Sequence, residues 1–169
     1  MTAAYIPTLK IIVAGDGNIG KTSLIRRYCE GKFEISRVAT IGVDFQTHTV
    51  DLPDGTVKLS IWDVAGQTQW KSARESFYRG ARATALVYDI TNPESFAHLP
   101  AWHQEVVAIA PDQRFVVIGN KVDLDRKVDI DSGRRFASSI RGGYVETSAL
   151  NGEGVDQMFT LLAGLAHEG

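Results

Sequence analysis

The ten residues GDGNIGKTSL, Gly15 to Leu24, follow directly on the apolar run LKIIVA (9–14). A continuous apolar run of this kind is a strand buried on both faces, and the chain beyond Gly20 should turn into a helix. Three glycines at that junction add nothing to a core and carry a high conformational-entropy cost. What they provide is bare backbone. A glycine-rich curl lets successive N–H groups converge on an anion at a helix N-terminus, where the helix dipole adds to the attraction. A strand, an anion-binding loop and a helix in that order restrict the chain to an α/β architecture.

Gly15, Asp16, Gly17, Asn18, Ile19, Gly20, Lys21 and Thr22 spell G-x-x-x-x-G-K-[ST], the phosphate-binding loop. At average residue frequencies the pattern arises by chance in about one chain of this length in a hundred. Lys21 is placed to reach the outer phosphates of a nucleotide, and the Thr22 hydroxyl to ligate Mg²⁺, a hard cation that keeps several waters. Ser23 completes the nucleotide-binding set of this loop.

The rest of the chain alternates apolar runs with amphipathic segments. ATALVYDI (83–90) and FVVIGN (115–120) read as buried strands. VDFQTHTVDL alternates and VKLSIWD follows PDGT, which predicts a hairpin between 43 and 62 with Asp54-Gly55 as its turn. PAWHQEVVAIA (100–110) is helical, with Trp102, Val106 and Ile109 or Ala110 on one face and Pro100 at the first helical position. A weaker helix covers 131–140, a short strand lies within 142–149, and a helix over 155–166 carries Val155, Met158, Phe159, Leu162 and Leu165 in one stripe. Strands alternating with helices predict a mostly parallel sheet covered on both sides, with the hairpin at its edge. In such sheets ligands sit at the carboxyl ends of the strands, where every polar cluster of this sequence falls.

Composition narrows the partners. A net charge of −2 excludes the basic footprint of a nucleic-acid binder. With Cys29 the only cysteine, no disulfide forms within the chain, which suits a reducing compartment. No apolar stretch approaches the roughly 20 residues of a membrane span, and the start MTAAYIPTLK has no signal-peptide core. A cytoplasmic location is expected.

The base of the nucleotide is read further on. GNKVD supplies Asn120, Lys121 and Asp123 at a strand's carboxyl end. The Asp123 carboxylate can accept from both N1–H and the exocyclic amine of guanine, whereas adenine offers an acceptor at that ring position. A buried carboxylate facing a lone pair costs about 1–3 kcal/mol or more. The Lys121 stem can pack on the base face and Asn120 can brace the loop. In ETSA (146–149), Ser148 can support the same loop and the Ala149 N–H can donate to guanine O6. WDVAGQ (62–67) places Asp63 to hold a Mg²⁺-bound water, the Gly66 N–H to meet a γ-phosphate, and Gln67 to orient an attacking water. Thr40, in ATIGVDF, can complete the metal's coordination.

These five stretches, in this order, resemble the Ras superfamily of small GTPases. TIGVDF, WDVAGQ and FYRGA (77–81) are most similar to its Rab branch. The likeness covers essentially the whole chain and marks 1–169 as one GTPase domain. It implies a P-loop NTPase fold: a six-stranded, mostly parallel sheet with one antiparallel edge strand and five helices on its two faces. It also implies Mg²⁺-dependent hydrolysis of GTP to GDP, with Gln67, Lys21, Thr40 and Gly66 as the catalytic set. The protein would be a monomeric switch in membrane traffic, with an exchange factor, a GTPase-activating protein and effectors as partners. Phe33 would lie against the guanine or ribose edge, the switch segments would span 35–42 and 66–79, and Phe45, Trp62 and Tyr78 would form an effector surface. The sequence departs from the family where Thr68, Gln69 and Trp70 replace an acidic-basic pair, at Arg37 and Ala39, and in lacking a prenyl-accepting cysteine. His48, His98, His103 and His167 are read as surface or packing residues, and Lys71, Arg74, Arg79 and Arg82 as solvated charge.

Overall fold

In the computed structural model, which describes residues 5–31, 43–66 and 71–168, the first apolar run is β1 (Thr8–Ala14), and the glycine-rich loop leads into α1 (Lys21–Glu30). The predicted hairpin is β2 (Val43–Leu52) and β3 (Gly55–Val64). There follow α2 (Lys71–Glu75), β4 (Ala83–Asp89), α3 (Pro93–Ala97), α4 (Leu99–Ile109), β5 (Arg114–Asn120), α5 (Ile130–Ser139), β6 (Gly143–Thr147) and α6 (Val155–Glu168). The sheet order is β2-β3-β1-β4-β5-β6, parallel throughout except for the β2–β3 edge pair. This is the α/β architecture expected of a P-loop NTPase.

Strand alternation divides the core into two layers. Ile11, Val13, Leu59, Ile61, Val87, Val116 and Ile118 face α1 and α6, whose Leu24, Ile25, Met158, Phe159 and Leu162 cover them. The intervening Ile12, Ala14, Leu86, Tyr88 and Val117 face α4 and α5, meeting Leu99, Trp102, Val106 and Ala137. Every residue of β4 is buried, as its unbroken apolar run predicts for the middle of a sheet. On α6 the buried stripe ends on Ala166, with Leu165 at its margin.

Three local features differ from the sequence reading. The hairpin turn is Pro53-Asp54, flanked by the Leu52–Gly55 pair, so Gly55 begins β3. The proline ring presets the first turn position, and Gly55 takes the left-handed φ of 147°. The helical segment around Trp102 begins earlier and in two pieces, α3 and α4, with His98 at their junction. Asn92 starts α3 by accepting from the Glu94 and Ser95 N–H groups at 3.1 and 3.4 Å. Pro100, which has no N–H to continue a helix, falls in the first turn of α4. The described residues therefore form six helices where the resemblance implied five. Among them no helix is long and apolar enough to cross a membrane.

Register aligns the functional segments. Val13 pairs with Asp63, Ala14 with Leu86, and Asn120 with both Asp89 and Thr147. The phosphate loop, the end of β3 and the end of β5 thus emerge along one edge of the sheet.

Candidate functional site

The loop between β1 and α1 closes on itself through Lys21. Its ammonium donates to the carbonyls of Gly15 at 2.9 Å and Asp16 at 2.6 Å, and the residue is 6% exposed. Burial lowers its pKa to about 8; Asp63 and Asp16 oppose that shift and Arg74 adds to it. A phosphate beside Lys21 would reverse it, since an adjacent anion favours the charged amine. Gly20 is the N-cap of α1 at φ 95°, with no side-chain cap, and a Cβ there would stand 2.5 Å from Asn120 Nδ2. The N-terminus of α1 therefore has no side-chain cap, and a helix N-terminus is the kind of place where an anion binds. Asn18 also has positive φ, 63°, which Asn tolerates better than most residues.

Thr22 and Asp63 meet directly: the hydroxyl donates to Asp63 Oδ2, although the residues are 41 positions apart. Asp63 is 3% exposed at the end of β3. Hydroxyl and carboxylate oxygens are the hard donors that Mg²⁺ selects. Among the described residues no group of three or more His, Cys, Asp or Glu could cage a metal by itself. That donor set suits an ion completed by phosphate and water, so the residues fit Mg²⁺. Beyond Asp63 the chain runs against the loop at Gly66, where a Cβ would stand 2.5 Å from the Asp16 carbonyl carbon and collide with Gly17 N. Only glycine brings the Gly66 backbone that close to the phosphate loop.

The segment after β5 is fastened to the same loop. Asn120, 1% exposed, donates from Nδ2 to the Ile19 carbonyl at 2.9 Å and accepts at Oδ1 from the Thr147 hydroxyl at 2.9 Å. Lys121, at φ 71°, donates to the Asn18 carbonyl at 3.2 Å and pairs with Asp89 at 2.9 Å. Ser148 Oγ donates to Asp123 Oδ1 at 2.7 Å, and Ala149 lies buried just beyond. Thr147 and Asp89 were missed in the sequence. Their signal was positional, since both end strands next to Asn120.

A second set of contacts joins the loop to α4 and α2. Asp16 accepts from Trp102 Nε1 at 2.9 Å, and its other oxygen lies 2.6 Å from His98 Nδ1. Arg74 lies over the Trp102 ring, 4.4 Å from its centroid, and donates to both Glu105 oxygens at 2.7 and 2.8 Å. Burial disfavours the Arg74 charge, but Glu105 outweighs it and the pKa is raised. Arg74, read as solvated charge, is instead 5% exposed. His98 lies at the surface, as the sequence reading had it, and stands against the loop's acid.

The aromatic surface also needs a correction. Phe45, 57% exposed, stacks on Trp62 at 5.2 Å, as its place opposite Trp62 in the β2–β3 pair requires. Tyr78, expected as the third aromatic, is fully buried with its hydroxyl on Glu105. Phe77 takes the place, 5.3 Å from Trp62. The chain leaving α2 turns so that position 77 faces the hairpin and position 78 the core. Phe33, Thr40, Gln67, the segment 35–42 and the departures at Arg37, Ala39, Thr68, Gln69 and Trp70 lie outside the described residues.

Residues 10–167 match the sequence profile of the Ras family. The chain is 43% identical over 154 residues to "Ras-related protein Rab-4" of Dictyostelium discoideum, covering 89% of this chain and 75% of that protein. It is 37% identical over 167 residues to "Ras-related protein SEC4" of Saccharomyces cerevisiae, covering 98% of this chain and 78% of that protein.

Proposed function

Because the chain belongs to the Ras family of small GTPases, most similar to its Rab members and hydrolysing GTP as they do, we propose that one cleft at the carboxyl edge of its sheet performs Mg²⁺-dependent hydrolysis. The reading takes 1–169 as one domain acting as a monomeric switch in membrane traffic. One observation carries it: Asn120 is bonded at once to Ile19 of the phosphate loop and to Thr147 beside Ser148. This contact supports reading the base-reading and phosphate-reading segments as parts of one site.

Gly15 through Ser23 hold the phosphates, with the loop and α1 N–H groups as donors. Lys21 moves from the loop carbonyls onto the outer phosphates. Thr22 and Thr40 would hold Mg²⁺, with Asp63 acting through a water, and the bound ion would neutralise charge on the phosphate oxygens. Asp123 reads the guanine edge, kept in place by Ser148, while Lys121, Phe33 and Ala149 complete the base pocket. Gln67 orients the water that attacks the γ-phosphorus; the bond from that phosphorus to the β–γ bridging oxygen breaks, GDP stays bound and inorganic phosphate leaves. Such chemistry is mostly positioning and charge stabilisation. Loss of the γ-phosphate frees Thr40 and Gly66, so the two switch segments relax. Phe45, Trp62 and Phe77 then form the surface by which effectors distinguish the two states.

The test is single-turnover phosphate release from bound GTP, comparing the protein with Gln67→Leu. The reading expects a slow intrinsic rate that the substitution lowers further, and strong stimulation by an activator supplying an arginine, about 10³–10⁵ in GTPases of this kind. Equal rates would remove Gln67 from the mechanism.

A further inference from the structure

We propose that His98 is a positioning residue of the phosphate loop, clamping Asp16 from the α3–α4 junction so that loop grip depends on pH. Asp16 is the second residue of the loop, and its main-chain carbonyl receives Lys21 at 2.6 Å. Its side chain points away from the phosphate cradle into a two-sided clamp. Trp102 Nε1 donates to Oδ1 at 2.9 Å, and His98 Nδ1 stands 2.6 Å from Oδ2.

The two donors differ in kind. The indole N–H is permanent and its ring is 6% exposed, so that side of the clamp is fixed. The imidazole side chain is 49% exposed, against 24% for Asp16, so solvent protons reach it. The junction sets the geometry: Asn92 fixes the start of α3 and Pro100 the start of α4, leaving His98 between them.

The charges facing His98 favour its protonated form. The hydrogen bond and charge of Asp16 raise its pKa above 6.5, its slight burial works the other way, and Glu94 on α3 adds a smaller rise. Lys71, Arg74 and Glu75 of α2 and Glu105 of α4 line the cleft that His98 borders; Arg74 and Glu105 are committed to each other. The sign follows. Below its folded-state pKa His98 carries a charge-assisted bond to Asp16. As pH rises through that value the charge is lost, and the Asp16 carboxylate keeps its Trp102 bond with a weaker, neutral contact to His98.

The inference rests on the loop being the phosphate site. GDP affinity at a single pH tests that reading, and the pH slope tests this one. The measurement is release of a fluorescent GDP analogue from the full chain at fixed excess Mg²⁺, between pH 6 and 8.5, alongside His98→Ala and His98→Asn. His98 is not itself among the residues assigned above to nucleotide or metal, and Asn suits a helix N-cap. Release from the unaltered protein should quicken about two- to fivefold across that range beyond any change shared with the variants, the span expected of a half-exposed ion pair. Both variants should lack that excess slope, and His98→Ala should release GDP faster at pH 6. A purely structural role would lower the thermal stability of both variants and leave their slopes equal to that of the unaltered protein. Equal slopes, or no slope in any of the three, overturn the proposal.

Discussion

Arg74 and Glu105 form a two-pronged ion pair, 2.7 and 2.8 Å, between α2, which follows the Gly66 segment, and α4, whose Trp102 bonds the Asp16 carboxylate. Both side chains are almost wholly buried, at 6% and 9% exposure. Arg74 Nη1 also donates to the Ala65 carbonyl at 3.4 Å, one residue before Gly66. Contacts therefore run from Ala65, beside Gly66, through Arg74 to Glu105 and Trp102 on α4, and from Trp102 to Asp16.

Removing one partner strands a buried charge. Arg74→Ala should cost about 3 kcal/mol of stability in the GDP-loaded protein, since breaking a buried pair typically costs 3–5 kcal/mol. Combining Arg74→Met with Glu105→Leu should recover much of that loss, because neither charge is then left alone. Chemical denaturation of the single and double variants measures both. Additive losses would mean that the pair is not coupled.

Gly66→Ala should slow single-turnover hydrolysis by on the order of a hundredfold, the penalty of a misplacement of about 1 Å. Its Cβ would drive into the loop backbone at Gly17 and Asp16. A near-normal rate would show that the approach of Gly66 to the loop is not needed in the transition state.

Asp123→Asn should move preference from guanosine towards xanthosine nucleotides and weaken GDP binding about 10–100-fold, one or two unpaired donors being worth about 1–3 kcal/mol each. The Ser148 hydroxyl can still donate to Oδ1 of the amide, so the loop should stay in place and the change be one of base chemistry. Competition between nucleotides reads this directly. Unaltered selectivity would remove Asp123 from base recognition.

Tyr78→Ala should destabilise the fold by about 3–5 kcal/mol, as loss of a buried aromatic does, while Phe77→Ala should cost far less and act on effector capture. The half-buried Phe77 ring rests on Trp62 beside the exposed Phe45, whereas Tyr78 belongs to the core layer with Leu99 and Val106. Thermal unfolding of the two variants separates them, and equal losses would contradict this division.

The motifs that the sheet brings together at one edge were legible because each lies at or near a strand end. Asn120 is the last residue of β5 with Asp123 three residues beyond, and Asp63 is the last but one of β3, so the sheet carries them to the phosphate loop. Contacts made across helices were not. His98 and Asp16 are 82 residues apart, and only the break between α3 and α4 aims the imidazole at the loop. The exchange of Phe77 for Tyr78 depends on a short turn after a helix of five residues, a phase that periodicity cannot fix. Arg74 read as solvated because charge on a short polar helix usually is; its acid lies 31 residues further along the chain.

The most direct measurement is titration calorimetry of the nucleotide-free protein with GDP, GTP, ADP and ATP, each with and without Mg²⁺. A single site of phosphate loop and base reader predicts tight, metal-enhanced uptake of both guanosine nucleotides, with adenosine nucleotides at least about a hundredfold weaker. Equal binding of the two bases, or no tight uptake of either, would contradict it.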